Sequence, residues 1–98
     1  MSGMVAYIDM GTTDVILNPE PECRYIYGEL YTLEILDLPE TGIVDISFIS
    51  GSTPTVLIFP SGVILPEWFD PTDLNMNTNY ELSIEDNKVV ISEWPITI

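Results

Sequence analysis

From Tyr80 to Ser92 the chain alternates with a period of two and is interrupted once, at Asp86-Asn87. Tyr80, Leu82 and Ile84 fall on one side of an extended segment, and Glu81, Ser83 and Glu85 fall on the other. Asp and Asn tolerate positive φ, so this two-residue link followed by the apolar run 88–92 predicts a β-hairpin. A hairpin of this kind says much about architecture. It brings no nucleophile, no metal ligand set and no phosphate loop.

The same alternation recurs upstream in short pieces separated by Gly, Pro and Asn clusters. Residues 4–10 read as a strand, with Val5 and Tyr7 opposed to Met4, Ala6 and Ile8, and Gly11-Thr12-Thr13 turns it. Residues 14–17 form a second apolar run, and Asn18-Pro19-Glu20-Pro21-Glu22 is a loop, because two prolines so close cannot both feed a central ladder. Residues 24–27 and 30–36 are strand-like around Gly28; Tyr31, Leu33 and Ile35 face one way and Thr32 and Glu34 the other. After a turn at 38–42, residues 43–49 place Val44, Ile46 and Phe48 inward against Asp45 and Ser47. Residues 56–59, bounded by Pro54 and Pro60, form a continuous apolar run of the kind expected of a strand covered on both faces. Ser61-Gly62 turns the chain, 63–65 continues it, and 66–79 is the longest irregular segment, with room for one helical turn at 71–74. No helical periodicity is sustained anywhere. These features predict one all-β domain over residues 1–98, a small antiparallel sandwich or jelly-roll-like module with short strands.

Charge narrows the partners. Sixteen carboxylates stand against Arg24 and Lys88 alone, for a formal net charge of −14, while 46% of the residues are hydrophobic and the mean hydropathy is +0.26. Such a content excludes a disordered acidic tail. A small domain buries only about two-thirds of its unfolded surface, so part of this apolar surplus is expected at a subunit interface, in a homo-oligomer. The carboxylates keep exposed strand faces soluble and argue against binding nucleic acid or an anionic membrane surface. No basic leader with a long apolar run opens the sequence, and nothing approaches a transmembrane stretch of about 20 apolar residues. A soluble protein made in the cytoplasm is the expectation.

Catalysis has little to work with. The absence of histidine removes the usual general base and any Ser-His arrangement. Cys23, the only cysteine, sits between Glu22 and Arg24 without a histidine partner and reads as an inert thiol that forms no intrachain disulfide. Carboxylate pairs need a cleft that drives their pKa values apart, which a domain of this length with short loops rarely builds. The expectation is a protein that is not an enzyme and uses no cofactor. Asp70, Asp73 and Asn75 put oxygen ligands at close spacing, as a calcium loop would, but the order of an EF-hand is missing and Asp70-Pro71-Thr72-Asp73 also suits a capped turn, the preferred reading. Trp68 and Phe69 are adjacent, so on an extended segment only one can enter the core. Together with Trp94 they are the candidate interface or ligand-facing residues.

The segment 53–94 also resembles a known module. An apolar strand, Pro60-Ser61-Gly62, a valine-containing segment, Pro66 close to Trp68, a spacer, and Tyr80-Glu-Leu-Ser-Ile-Glu-Asp-Asn87 with Val89-Val90 and Trp94 are similar to a β-module near the ends of tailed-phage and prophage virion proteins of the fibre, baseplate and head-appendage kinds. The family pattern places a basic or polar residue just before the tryptophan region, where this chain has Ile64-Leu65-Pro66-Glu67-Trp68. The resemblance implies a structural, oligomeric virion component, with a trimer as the expected form and other virion proteins as further partners. Two other classes remain open from the residues: a small acidic inhibitor that presents carboxylates like phosphates to a basic groove, and a carbohydrate-binding module with Trp68 or Trp94 as stacking platform.

Overall fold

The computed structural model describes residues 6–12 and 15–96. Met4 and Val5 of the first expected strand, Thr13 of its turn and Asp14 of the second strand lie outside the described residues. Eight strands follow in order: β1 (Ala6–Gly11), β2 (Ile16–Leu17), β3 (Cys23–Glu29), β4 (Thr32–Ile35), β5 (Ile43–Ser50), β6 (Val56–Ile58), β7 (Thr78–Glu85) and β8 (Lys88–Pro95). They form a five-stranded sheet in the order β1-β3-β5-β7-β8 and a three-stranded sheet in the order β2-β4-β6. The all-β, two-sheet architecture expected from the alternation is therefore present.

Strand direction departs from the expected antiparallel arrangement. From β1 to β6 the chain changes sheet at every strand, so spatial neighbours within a sheet are two strands apart in sequence and run parallel. Parallel neighbours need a crossover connection; here each crossover is a strand of the opposite sheet. Only β5–β7 and β7–β8 are antiparallel. The molecule is thus a coil of strands, wound through both sheets and finished by a hairpin. That hairpin is the one read from the sequence: Asp86 and Asn87 have φ values of 54° and 61°, the left-handed pair a two-residue turn requires.

The core lies between the sheets. Tyr25 and Tyr27 of β3, Val44, Ile46 and Phe48 of β5, and Tyr80, Leu82 and Ile84 of β7 point inward and meet Leu33, Ile35 and Leu57 of the smaller sheet. Phe48 and Tyr80 are direct cross-strand partners whose rings stack at 5.4 Å. Strand β6 differs from the expected doubly covered strand: Leu57 is buried, whereas Val56 and Ile58 are 39% and 46% exposed. No third layer covers the outside of the smaller sheet among the described residues.

Polar groups hold the corners where the chain leaves one sheet for the other. The buried Thr55 hydroxyl donates to the Leu30 carbonyl at 2.5 Å, and the Thr55 N–H donates to the buried Ser50 Oγ at 3.0 Å. Leu30 N–H donates to the Ile49 carbonyl, and Val56 N–H to the Tyr31 carbonyl. Two successive corners of the coil are stitched together by these bonds.

Candidate binding faces

Each sheet has one face toward solvent, and the two faces differ. On the five-stranded sheet the register aligns Tyr7, Arg24, Asp45, Ser83 and Val90 in one outward row, and Asp9, Ile26, Ser47, Glu81 and Ser92 in the next. A third row brings Ile49, Asn79 and Trp94 side by side. Arg24 occupies the middle of this face. Its guanidinium lies 2.9 Å from Glu81 Oε2 and 3.9 Å from Asp45 Oδ2, so it bridges across β5 and offsets one of the two negative charges flanking it.

Beside this bridge the surface is concave. A depression of about 300 Å³ is lined by Arg24, Ile26, Ser47, Ile49, Asn79, Glu81 and Trp94, with buried rings of the core beneath. Its origin is local. The β3–β5 register shifts between Ile26 and Glu29, next to the lining residues Ile26 and Ile49, while the β1–β3 shift between Asp9 and Gly11 lies one strand further out and contributes no lining residue. A bulge bends its strand and re-aims the neighbouring side chains, and bulges recur next to binding sites.

The face of the three-stranded sheet is more apolar. Ile16, Glu34 and Ile58 align in one row and Thr32 and Val56 in another, and Leu36 continues β4 through a bond from its N–H to the Leu17 carbonyl. Ile16, Leu36, Val56 and Ile58 are all exposed. Residues 66–77 run along the free edge of β6, held by the Leu57 N–H donating to the Pro71 carbonyl.

That segment separates the two adjacent aromatic residues. Phe69 is buried and meets Tyr80 edge-on at 6.3 Å, so it is a core residue and not a contact surface. Trp68 remains 60% exposed and stands edge-on against Phe69 at 5.7 Å. Trp94 lies on the opposite sheet. The sequence therefore supplied one surface tryptophan for each of two distant places. The neighbours of Trp94 were not evident from the sequence, because Arg24, Ile49 and Asn79 meet it only through the sheet order. The sole local signal was the hairpin register, which sets Asn79 opposite Trp94.

The remaining chemical candidates have structural roles. Asp70 accepts hydrogen bonds from the Thr72 N–H and hydroxyl, which hold its carboxyl below the usual range, while the Asp73 N–H donates to the Asp70 carbonyl. This is a turn and not the helical turn allowed at 71–74. Among the described residues no three acidic or sulfur-bearing side chains gather as a metal site. Cys23 is buried on β3. The neighbouring Tyr25 hydroxyl accepts the Glu20 N–H, and burial raises its pKa. The hydroxyl of Tyr80 accepts the Asn75 N–H, and burial beneath the hairpin raises its pKa to about 12. Among the described residues no helix is long and apolar enough to cross a membrane. No family model, curated protein or solved structure matches the chain.

Proposed function

We propose that this chain is a structural assembly module that acts by burying the apolar face of its three-stranded sheet against protein partners. The observation that carries the reading is that Val56 and Ile58, successive outward residues of β6, share one outward face with Ile16 of β2, which lies beyond Glu34 of β4, and with exposed Leu36 at the end of β4. Single exposed apolar residues are ordinary on a protein surface, whereas four on the outer side of one small sheet make a candidate interaction site. The charge supports the same division of labour: at −14 the rest of the surface resists nonspecific association, so contact is confined to the patch.

The likeness of residues 53–94 to virion modules gives this assembly its setting, a tailed-phage particle built in a bacterial host. Its partners are further copies of the chain, with a trimer as the form to test, and neighbouring virion subunits. The phosphate-mimic reading has less support. In the row Asp9, Ile26, Ser47, Glu81 and Ser92 two acids are separated by an apolar residue and a hydroxyl, and Glu81 is already held by Arg24.

Sedimentation tests the proposal. The wild-type chain should sediment as an oligomer of its 11.0 kDa unit at micromolar concentration. Ile58→Glu should dissociate it to monomers with unchanged far-ultraviolet circular dichroism, since Ile58 lies outside the core. Glu81→Gln should leave assembly intact. A wild-type monomer, or an oligomer indifferent to Ile58→Glu and to Val56→Asp, would refute the assignment of this face.

A further inference from the structure

We propose that the depression on the five-stranded sheet is a binding site for a neutral pyranose sugar, with Trp94 as the stacking wall. This site is on the opposite sheet from the proposed assembly face and does not depend on it. Three observations converge. The first is shape: a pit of about 300 Å³ lies at the small end of ligand clefts, which run from about 300 to 1,000 Å³, and suits one ring better than an extended chain. Every residue that lines the pit belongs to β3, β5, β7 or β8, so it does not depend on the position of a loop.

The second is chemistry. Trp94 offers a half-exposed indole, the surface on which the C–H face of a sugar ring packs. Around it stand an amide at Asn79, a hydroxyl at Ser47 and the carboxylate of Glu81, which together provide donors and acceptors at the spacing of neighbouring strands. Vicinal hydroxyls of a sugar need this mixture, each acting as both donor and acceptor. Ile26 and Ile49 supply the apolar remainder of the lining.

The third is charge. Arg24, the only cation at the site, is held 2.9 Å from Glu81, and the whole chain carries −14. An anionic ligand would face that field without a free counter-charge. A neutral sugar meets no such barrier, and the Arg24–Glu81 bridge fixes the Glu81 carboxylate in position.

The two tryptophans make the test internally controlled. Neutral hexoses and N-acetylhexosamines (glucose, galactose, mannose, N-acetylglucosamine and N-acetylgalactosamine) are titrated to millimolar concentration into the purified, isotope-labelled protein. The indole N–H resonances of Trp94 and Trp68 and the side-chain amide of Asn79 are followed by NMR. At least one of these sugars should shift the Trp94 and Asn79 signals saturably while the Trp68 signal stays in place, and glucuronate or sialic acid should shift neither. Trp94→Ala should abolish the saturable shift at Asn79, Asn79→Ala should weaken binding several-fold, and Trp68→Ala should leave it unchanged. The proposal is overturned if none of the neutral sugars saturates the Trp94 signal, if both indoles move together, if Trp94→Ala retains binding, or if an acidic sugar binds more tightly than every neutral one.

Discussion

The polar stitch between coil corners gives the sharpest test of how this fold is held. Thr55 and Ser50 are fully buried, and they satisfy a carbonyl and an N–H that water cannot reach. Thr55→Val keeps the shape of the side chain but leaves the Leu30 carbonyl without that donor, a loss of about 1–3 kcal/mol for a buried polar group. The added methyl returns at most about 0.8 kcal/mol through burial. The net destabilisation then lies between about 0.2 and 3 kcal/mol, with about 1–2 kcal/mol as the middle of the range and the expected value. For a domain of this size each kcal/mol lowers Tm by about 4–8 °C, so the melting temperature should fall by about 4–16 °C. Ser50→Ala removes the acceptor of the Thr55 N–H and should cost a similar amount. The two losses act on one residue, so the double variant should fall short of their sum by about 0.5 kcal/mol or more. Urea unfolding at fixed protein concentration measures this, with a lowered midpoint at unchanged slope as the expected result. Exposed Thr53→Val is the control and should stay within about 0.5 kcal/mol of wild type. A neutral Thr55→Val, or strict additivity with Ser50→Ala, would refute the idea that these bonds join the corners.

Three further outcomes follow from the same structure. Tyr80 has a folded-state pKa near 12 against an ordinary value of 10.0, so the folded protein holds that proton more tightly. The stability this contributes is complete below pH 10 and is lost as the pH rises toward 12; in Tyr80→Phe that alkaline loss should shrink, which urea midpoints measured across pH 8–12 would show. Gly42 sits at a φ of 86°, and a Cβ there would come within 2.7 Å of the Pro21 Cβ, so Gly42→Ala should destabilise by about 1–2 kcal/mol or more in the same assay. Asn87→Gly, at a turn position already left-handed, should be neutral or slightly stabilising.

Alternation reveals a strand with one buried face, and it did so well for β5 and β7, where Val44, Ile46, Phe48, Tyr80, Leu82 and Ile84 are all buried. It carries no information on the direction of the neighbouring strand. Residues 30–36 read as one strand with Tyr31, Leu33 and Ile35 on the same side, yet Leu30-Tyr31 is a link between β3 and β4 that turns the chain from one sheet to the other and leaves Tyr31 exposed where Leu33 and Ile35 are buried. The distinguishing mark is at Leu30, which is buried at the corner where a hairpin loop would be exposed. Only Asp86-Asn87 joined turn chemistry to alternation on both sides, and there the strands do pair antiparallel. The apolar run at 56–59 misled for a different reason. Length and composition suggested coverage on both faces, but the smaller sheet has an outer side, and Val56 and Ile58 occupy it.

That outer side also explains why the binding residues were only half legible. In a coil, residues of neighbouring outward rows come from strands far apart in sequence, so Arg24 and Asp45 of one row and Glu81 of the next meet across 57 positions of sequence (81 − 24 = 57) with no local pattern announcing it. Trp68 and Trp94 were visible as large residues lacking an assured place in the core. Which of the two would acquire polar neighbours was decided by the hairpin, because adding β7 and β8 to one sheet alone makes it five strands wide and leaves the other at three. The wider sheet gains a surface broad enough to hold an ion pair, an amide and an indole in adjacent rows. The narrower one presents Ile16, Val56 and Ile58 around Thr32 and Glu34 of its central strand. If the two faces act as proposed, substitutions at Ile58 should be read out in assembly and substitutions at Trp94 in sugar binding, with neither crossing to the other, and a variant of either residue that disturbed both would show the two faces to be one site.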